Sequence, residues 1–186
     1  VKKVHYFFRE NLTPDYQDIH ESHDFWEALY IVKGEVLAYC GDAVHNMKAG
    51  DILFKKPNDI HHIEVLTNTT ANFFSFECDS KAMEIFDNLK LPLPIHLKKL
   101  INNLYDEGTK VFDSNTTING KVYLTKKEDM PIGGQQLYSL YLEMLLIQII
   151  RIKNEESNTT IFATKENFYK RIVDEMVEYL RSCIYT

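Results

Sequence analysis

Near residue 80 the chain changes rhythm, and that change limits the folds open to it. Before it, residues 4–8, 27–33, 35–40, 51–55, 60–66 and 72–78 form short runs rich in Val, Ile, Tyr and Phe. Gly34, Gly41-Asp42, Gly50-Asp51 and Pro57-Asn58-Asp59 separate them. Short β-type runs cut at close intervals by turn residues predict an antiparallel sandwich or barrel. Gly34, set between two runs, predicts a tight hairpin, because glycine tolerates positive φ. The aromatic segment Lys2–Arg9 reads as a first strand rather than a lid-like arm.

After Asp79 the spacing becomes helical. Ser80 is placed to cap a helix over 81–89. Leu91-Pro92-Leu93-Pro94 is a stiff break, since each proline lacks a donor and restrains its predecessor. Over 95–107, Ile95, Leu97, Leu100, Ile101, Leu104 and Tyr105 fall near one stripe. The polar stretch 113–133, with Gly120, Pro131 and Gly133-Gly134, reads as a loop. Further helices are predicted over 135–153 and over 165–183. The fold class is therefore mainly β with α: a β domain over 1–80, then a helical region over 81–186 packed on it.

Charge narrows the function. Against 21 Lys and Arg stand 27 Asp and Glu, for a net charge of −6. Such a chain lacks the positive footprint of a nucleic-acid binder, so any action on DNA needs another part to grip it. Cys40, Cys78 and Cys183 are widely spaced with no Cys-x-x-Cys pair. This argues against a zinc ribbon or disulfide framework and for free thiols in a reducing cytoplasm. No signal-peptide pattern opens the sequence. The longest apolar stretch, 140–152, is broken by Glu143, Gln148 and Arg151 and is too short and polar to span a bilayer. A cytoplasmic protein with no membrane partner is expected.

Two segments carry chemistry: Glu21 to Glu27, and Gly50 to His62. In a regular strand, residues two apart share a face. Glu21, His23, Phe25 and Glu27 would then point one way. In the later strand His62, Glu64 and Leu66 would share a face, with His61 on the other, toward the surface. Two inward strands would gather Glu21, His23, Glu27 and His62. Two imidazoles and two carboxylates, with Phe25 beside them, suit hydrogen bonding to a polyol such as a sugar. The groups His23, Glu27 and His62 also suit a divalent metal, and His23 with Glu27 suits a buried structural pair. There is no nucleophile elbow, Gly-rich phosphate loop or His-Glu-x-x-His motif, so no catalytic residue is assigned.

These residues carry a resemblance. His23, Glu27 and Gly34 are spaced as in the first cupin motif, and Gly50, Pro57 and His62 resemble the second. Glu21 stands where the first motif has its other His, and Asp59 where the second has Gly, so the metal set of a cupin enzyme is altered. The wording from His23-Asp-Phe-Trp-Glu27 to Gly34, then Lys48-Ala-Gly50-Asp51, then Pro57 and His62, resembles the N-terminal domain of AraC-type regulators. So do Pro131-Ile-Gly-Gly-Gln-Gln-Leu-Tyr138 through Arg151, and Ile172 to Leu180, which resembles the helix leading into that family's helix-turn-helix domain. The likeness covers almost the whole chain. It implies a bacterial effector-sensing domain, with DNA bound only through a C-terminal domain outside this sequence.

Helix 135–153 is apolar on more than one stripe and needs cover on two sides. One side suits the β domain; the other suits either the last helix or a second subunit. The resemblance favours a homodimer through Leu137, Leu140, Tyr141, Met144 and Leu145. The expected function is effector sensing and dimerisation for transcription control, with no catalysis and no cofactor. The alternative is a stand-alone metal-dependent cupin enzyme, a dioxygenase or isomerase.

Overall fold

The structure is a computed structural model and describes residues 1–118 and 121–157. Its strands are β1 (Lys3–Leu12), β2 (Trp26–Lys33), β3 (Glu35–Cys40), β4 (Ala43–Lys48), β5 (Asp51–Lys55), β6 (His61–Val65), β7 (Thr69–Glu77), β8 (Lys90–Pro92), β9 (Phe112–Ile118) and β10 (Lys121–Lys126). Helix α1 spans Ile95–Val111 and α2 spans Gly134–Ser157. Five strands form one sheet in the order β1-β7-β2-β5-β8, and three form another in the order β4-β3-β6. Every pairing within them is antiparallel. The mainly-β expectation holds, and the N-terminal segment is a strand, paired along its length with β7.

Alternation explains the two layers. Leu12, Leu29, Ile31, Leu53 and Ala71 from the larger sheet join Val36, Ala38, Cys40, Met47, Ile63 and Val65 from the smaller in one buried cluster. These are the inward positions of a sandwich. The central strands β2 and β5 are buried on both faces. The outer face of the larger sheet meets aromatic and helical packing: Phe7 lies against Phe74, Tyr105 and Tyr138, and Phe54 against Phe86. Helix α1 buries Leu97, Leu100, Ile101 and Leu104 of the expected stripe, and Val111 beyond the expected end; Tyr105 is half-buried and Ile95, at the first turn, is exposed. Gly108 on α1 is where Phe7 comes closest, and a Cβ there would stand 2.7 Å from the ring.

Several local expectations are corrected. Gly34 does not close a hairpin: β2 pairs with β5 and β7, whereas β3 pairs with β4 and β6. At φ +91° Gly34 carries the chain from one sheet to the other, and a Cβ there would lie 2.6 Å from the Asn68 carbonyl oxygen. The tight hairpin lies instead at Gly41-Asp42, with Cys40 opposite Ala43, and β4 is a strand that periodicity alone did not mark. Ser80 does cap its turn, accepting from the Ala82 amide, but the element is a 3-10 helix over Lys81–Phe86. The stretch read as a break contains β8, which extends the larger sheet beside β5. The stretch read as a loop holds the β9–β10 hairpin. The expected last helix lies outside the described residues.

Two compact units divide the chain, Val1–Gln148 and Ile149–Thr186. Residues 81–148 thus group with the strands. Among the described residues no helix is long and apolar enough to cross a membrane.

Candidate functional site

The inner faces of the sandwich grade from apolar to polar along their strands. On β2, Ile31 and Leu29 are followed inward by Glu27; on β5, Leu53 is followed by Lys55; on β6, Val65 and Ile63 are followed by His61. Register aligns these ends, with Glu27 opposite Lys55 and Ser75, and His61 opposite Cys40. One end of the interior therefore holds a buried polar cluster rather than a continued apolar core.

Glu27 is its centre. Its side chain is 1% exposed and that of Lys55 is 2%, and the Lys55 ammonium donates to Glu27 Oε1 at 2.6 Å. The Tyr6 hydroxyl donates to Glu27 Oε2. His23 Nε2 lies 3.6 Å from the same oxygen and His61 Nε2 3.9 Å. Burial alone would push the Glu27 carboxyl up; Lys55 and the two imidazoles outweigh it and hold the carboxyl well below the usual carboxylate range. Burial likewise works against the Lys55 charge, but Glu27 keeps the ammonium raised above its ordinary value. The pair is charged. Tyr6 is pushed well up by burial and by the adjacent Glu27 charge, so it remains a neutral donor.

Both imidazoles are oriented through their other nitrogen. His23 Nδ1 donates to the Phe25 carbonyl and His61 Nδ1 to the Asp59 carbonyl, each at 2.9 Å. A carbonyl only accepts, so each Nδ1 carries a proton, and the Nε2 of each ring faces the cluster, that of His23 lying 3.3 Å from the Tyr6 hydroxyl. His61 Nε2 is buried and has no hydrogen-bond partner; its nearest polar neighbours are Glu21 Oε1 at 3.6 Å and Glu27 Oε2.

The expected site is partly gathered. Residues 21–25 are not a regular strand: Glu21 makes a single bridge to His61, and β2 begins at Trp26. Glu21, His23, Phe25 and Glu27 nevertheless all line one cavity of about 1060 Å³. Phe25 is stacked between His5 and His23, with both centroid distances 4.0 Å. His62 is the exception. It faces away from the cluster, stacked on Tyr39 at 4.3 Å and beside His20 at 3.9 Å, while His61 takes the inward place. Parity carried the correct answer, because His61 shares its face with Ile63 and Val65, and His62 with Glu64. Tyr6 and Lys55 were missed. Tyr6 sits on a strand read only for its apolar content, and β5 is buried on both faces, so no alternation marks Lys55.

A divalent ion was one option for these groups. His23, Glu27 and His61 bring one ligand atom each within 4.8 Å of one another. The imidazoles are set as metal ligands usually are, with the second nitrogen bonded to a carbonyl. The carboxylate does not fit that role. Lys55 already neutralises it and Tyr6 bonds the oxygen that faces the rings.

The expected dimer residues divide. Leu137, Leu140 and Met144 are exposed on α2, Tyr141 is half-buried, and Leu145 is core at 1% exposure, so Leu145 is not available at a surface of this unit. Ile147 completes an exposed stripe with Leu137, Leu140 and Met144 at helical spacing.

Known proteins place this arrangement. No curated protein matches the chain. Among solved structures it is similar to an RmlC-like cupin from Shewanella frigidimarina, at 20% identity and a TM-score of 0.34, over 38% of this chain and 67% of that one. It is also similar to a predicted oxalate decarboxylase from Thermotoga maritima, at 29% identity and a TM-score of 0.34, over 39% of this chain and 64% of that one. The family model of the AraC-like ligand binding domain matches residues 8–106, more than half the sequence and all of the cluster except Tyr6. The chain belongs to the family of AraC-like ligand binding domains.

Proposed function

We propose that this chain is the effector-sensing part of an AraC-type transcription regulator, and that the cavity beside Glu27 receives a small molecule. The observation that carries the reading is a buried polar cluster opening on a cavity of about 1060 Å³, lined by His23, Phe25, Glu27 and Tyr6. Ligand sites of this kind are concave, largely preformed, and set a few oriented polar groups among apolar walls. Hydroxyl-rich ligands such as sugars are one class that suits the acceptors there. The reading assigns no catalysis and no resident metal, because the buried carboxylate of the cluster, Glu27, is already paired with a lysine.

The ligand acts by linkage: it shifts the regulator only as far as it binds one conformational state better than the other. The stripe Leu137, Leu140, Met144 and Ile147 pairs two copies, and the DNA is gripped by a basic helix-turn-helix domain of the same polypeptide. Thermal-shift screening of the chain against small molecules tests the sensing step. A hit should be lost in Tyr6→Phe or His23→Ala, both of which alter the cavity wall. A folded chain with no hit across cationic, anionic and polyol libraries overturns the reading.

A further inference from the structure

We propose that the occupant of this cavity is an organic cation, an ammonium carried on a body with an apolar face. This rests on the effector reading and names its ligand class. The first argument is charge. Glu10, Asp18 and Glu21 all line the cavity, and among the described residues none has a lysine or arginine within ion-pair reach. Lys55, the cation at its depth, is engaged by Glu27. Arg9 donates through Nε to Asn72 Oδ1 and lays its guanidinium 3.6 Å from the Tyr105 ring centroid. Lys3 is exposed. The cavity therefore carries surplus negative charge.

The second argument is an unmet polar atom. His61 is 1% exposed, its Nδ1 donates to a carbonyl, and among the described residues its Nε2 has no hydrogen-bond partner; its nearest polar neighbours are Glu21 and Glu27, both cavity residues. A buried polar atom left unsatisfied is costly, and it marks this end of the cavity as incomplete without an occupant. The donors already there, Lys55 and the Tyr6 hydroxyl, both face Glu27.

The walls supply the rest. Phe8 stacks on Phe73 at 4.8 Å, and Tyr6 meets Phe25 edge-on at 5.7 Å. Aromatic faces beside carboxylates bind ammonium groups through the ring quadrupole as well as through charge. A neutral sugar would supply donors but would leave the cavity's surplus charge uncompensated. Burial raises the Glu10 and Asp18 carboxyls, and Asp18 raises Glu10 further; at Asp18 the Ile63 and Ile19 amides and Lys55 offset part of the rise.

The test is titration calorimetry of the 186-residue chain with charge-matched triads: phenethylamine, 2-phenylethanol and phenylacetate; glucosamine, glucose and gluconate. The expected result is that an amine binds at least about tenfold tighter than both of its partners. Glu10→Gln should erase most of that preference. Among the described residues the Glu10 side chain makes no hydrogen bond, so this variant should fold normally. If a neutral or anionic member binds as tightly as the amine, the cation inference falls and the effector reading stands. Stoichiometric binding of manganese or zinc with no response to amines also overturns the inference. No binding by any member to folded protein overturns both.

Discussion

Lys55→Met removes a buried ammonium and leaves Glu27 behind it. The magnitude follows from the surroundings. The two side chains are 2% and 1% exposed and 2.6 Å apart, and no other lysine or arginine among the described residues reaches Glu27. Deleting one partner of such a pair costs about 3–5 kcal/mol, because the remaining charge stays buried and uncompensated. Against a total stability of about 5–15 kcal/mol for a domain, that is about a fifth of the margin or more. At roughly 2–4 °C per kcal/mol for a unit of this size, Tm should fall by roughly 6–20 °C. Glu27→Gln should cost less, since the amide oxygen still accepts and an amine can shed its proton. The double variant should lie within about 2 kcal/mol of the native chain, because no charge is then stranded. Urea denaturation of the four proteins gives the cycle. If Lys55→Met costs under about 1 kcal/mol, or the two single losses simply add, the pair is not a coupled buried charge and the argument fails.

Other expectations follow from the same geometry. The Glu27 carboxyl is depressed, so its contribution is present above the unfolded carboxylate value and is lost as pH falls; Lys55 is raised, so its contribution is present below the unfolded lysine value and is lost as pH rises through its folded one. Stability measured against pH should therefore hold a plateau from about pH 5 to about pH 10 with loss on both sides, and Glu27→Gln should flatten the acid arm. Glu10 and Asp18 are raised and act in the opposite sense, so Glu10→Gln should gain stability at neutral pH; a loss there would show an unseen partner. Tyr138 is fully buried with no hydrogen-bond partner for its hydroxyl, so Tyr138→Phe should be neutral or stabilising by about 1 kcal/mol in the same denaturation assay, and a loss of that size would contradict the packing. Leu140 is 49% exposed within the α2 stripe, so Leu140→Glu should leave Tm unchanged and yield monomers in sedimentation; a variant that sediments like the native chain removes α2 from the interface.

Legibility in the sequence followed the strength of periodicity. Strands buried on one face, such as β3 and β6, alternate cleanly, and their bounds were close to those read from the residues. Pairing was not legible, because Gly34 marks a reversal whether the next strand joins the same sheet or the opposite one. The β9–β10 hairpin was missed although Asn119-Gly120 separates two stretches with β-branched residues, because the flanking polar residues outweighed that local signal. Glu27 and His23 were found by spacing. His61 was displaced to its neighbour because the motif was counted from Pro57, while the alternation of His61, Ile63 and Val65 carried the physical information. A count along the chain registers resemblance; parity registers which way a side chain faces.

Lys55 bears most directly on what the site does. A fold interior that gathers two imidazoles and a carboxylate is chemically close to a metal centre, and the difference here is one buried side chain. The lysine supplies a positive charge that cannot dissociate, so the neutrality of Glu27 does not depend on a metal supply. With Glu27 bonded to Lys55 and Tyr6, the groups left to recognise a ligand are His23 and the carboxylates of Glu10, Asp18 and Glu21 that line the cavity. His23 is fixed by its bond to the Phe25 carbonyl before any ligand arrives, so little ordering cost falls on it at binding. Tyr6 extends the consequence to the edge of the larger sheet. It joins β1 to the cluster through Glu27, and β1 pairs with β7 alone, so a ligand that competes for the Tyr6 hydroxyl acts directly on an edge strand. Ligand binding and the hold on β1 are then coupled in part through this hydroxyl, and Tyr6→Phe should weaken that coupling while leaving the Lys55–Glu27 pair in place.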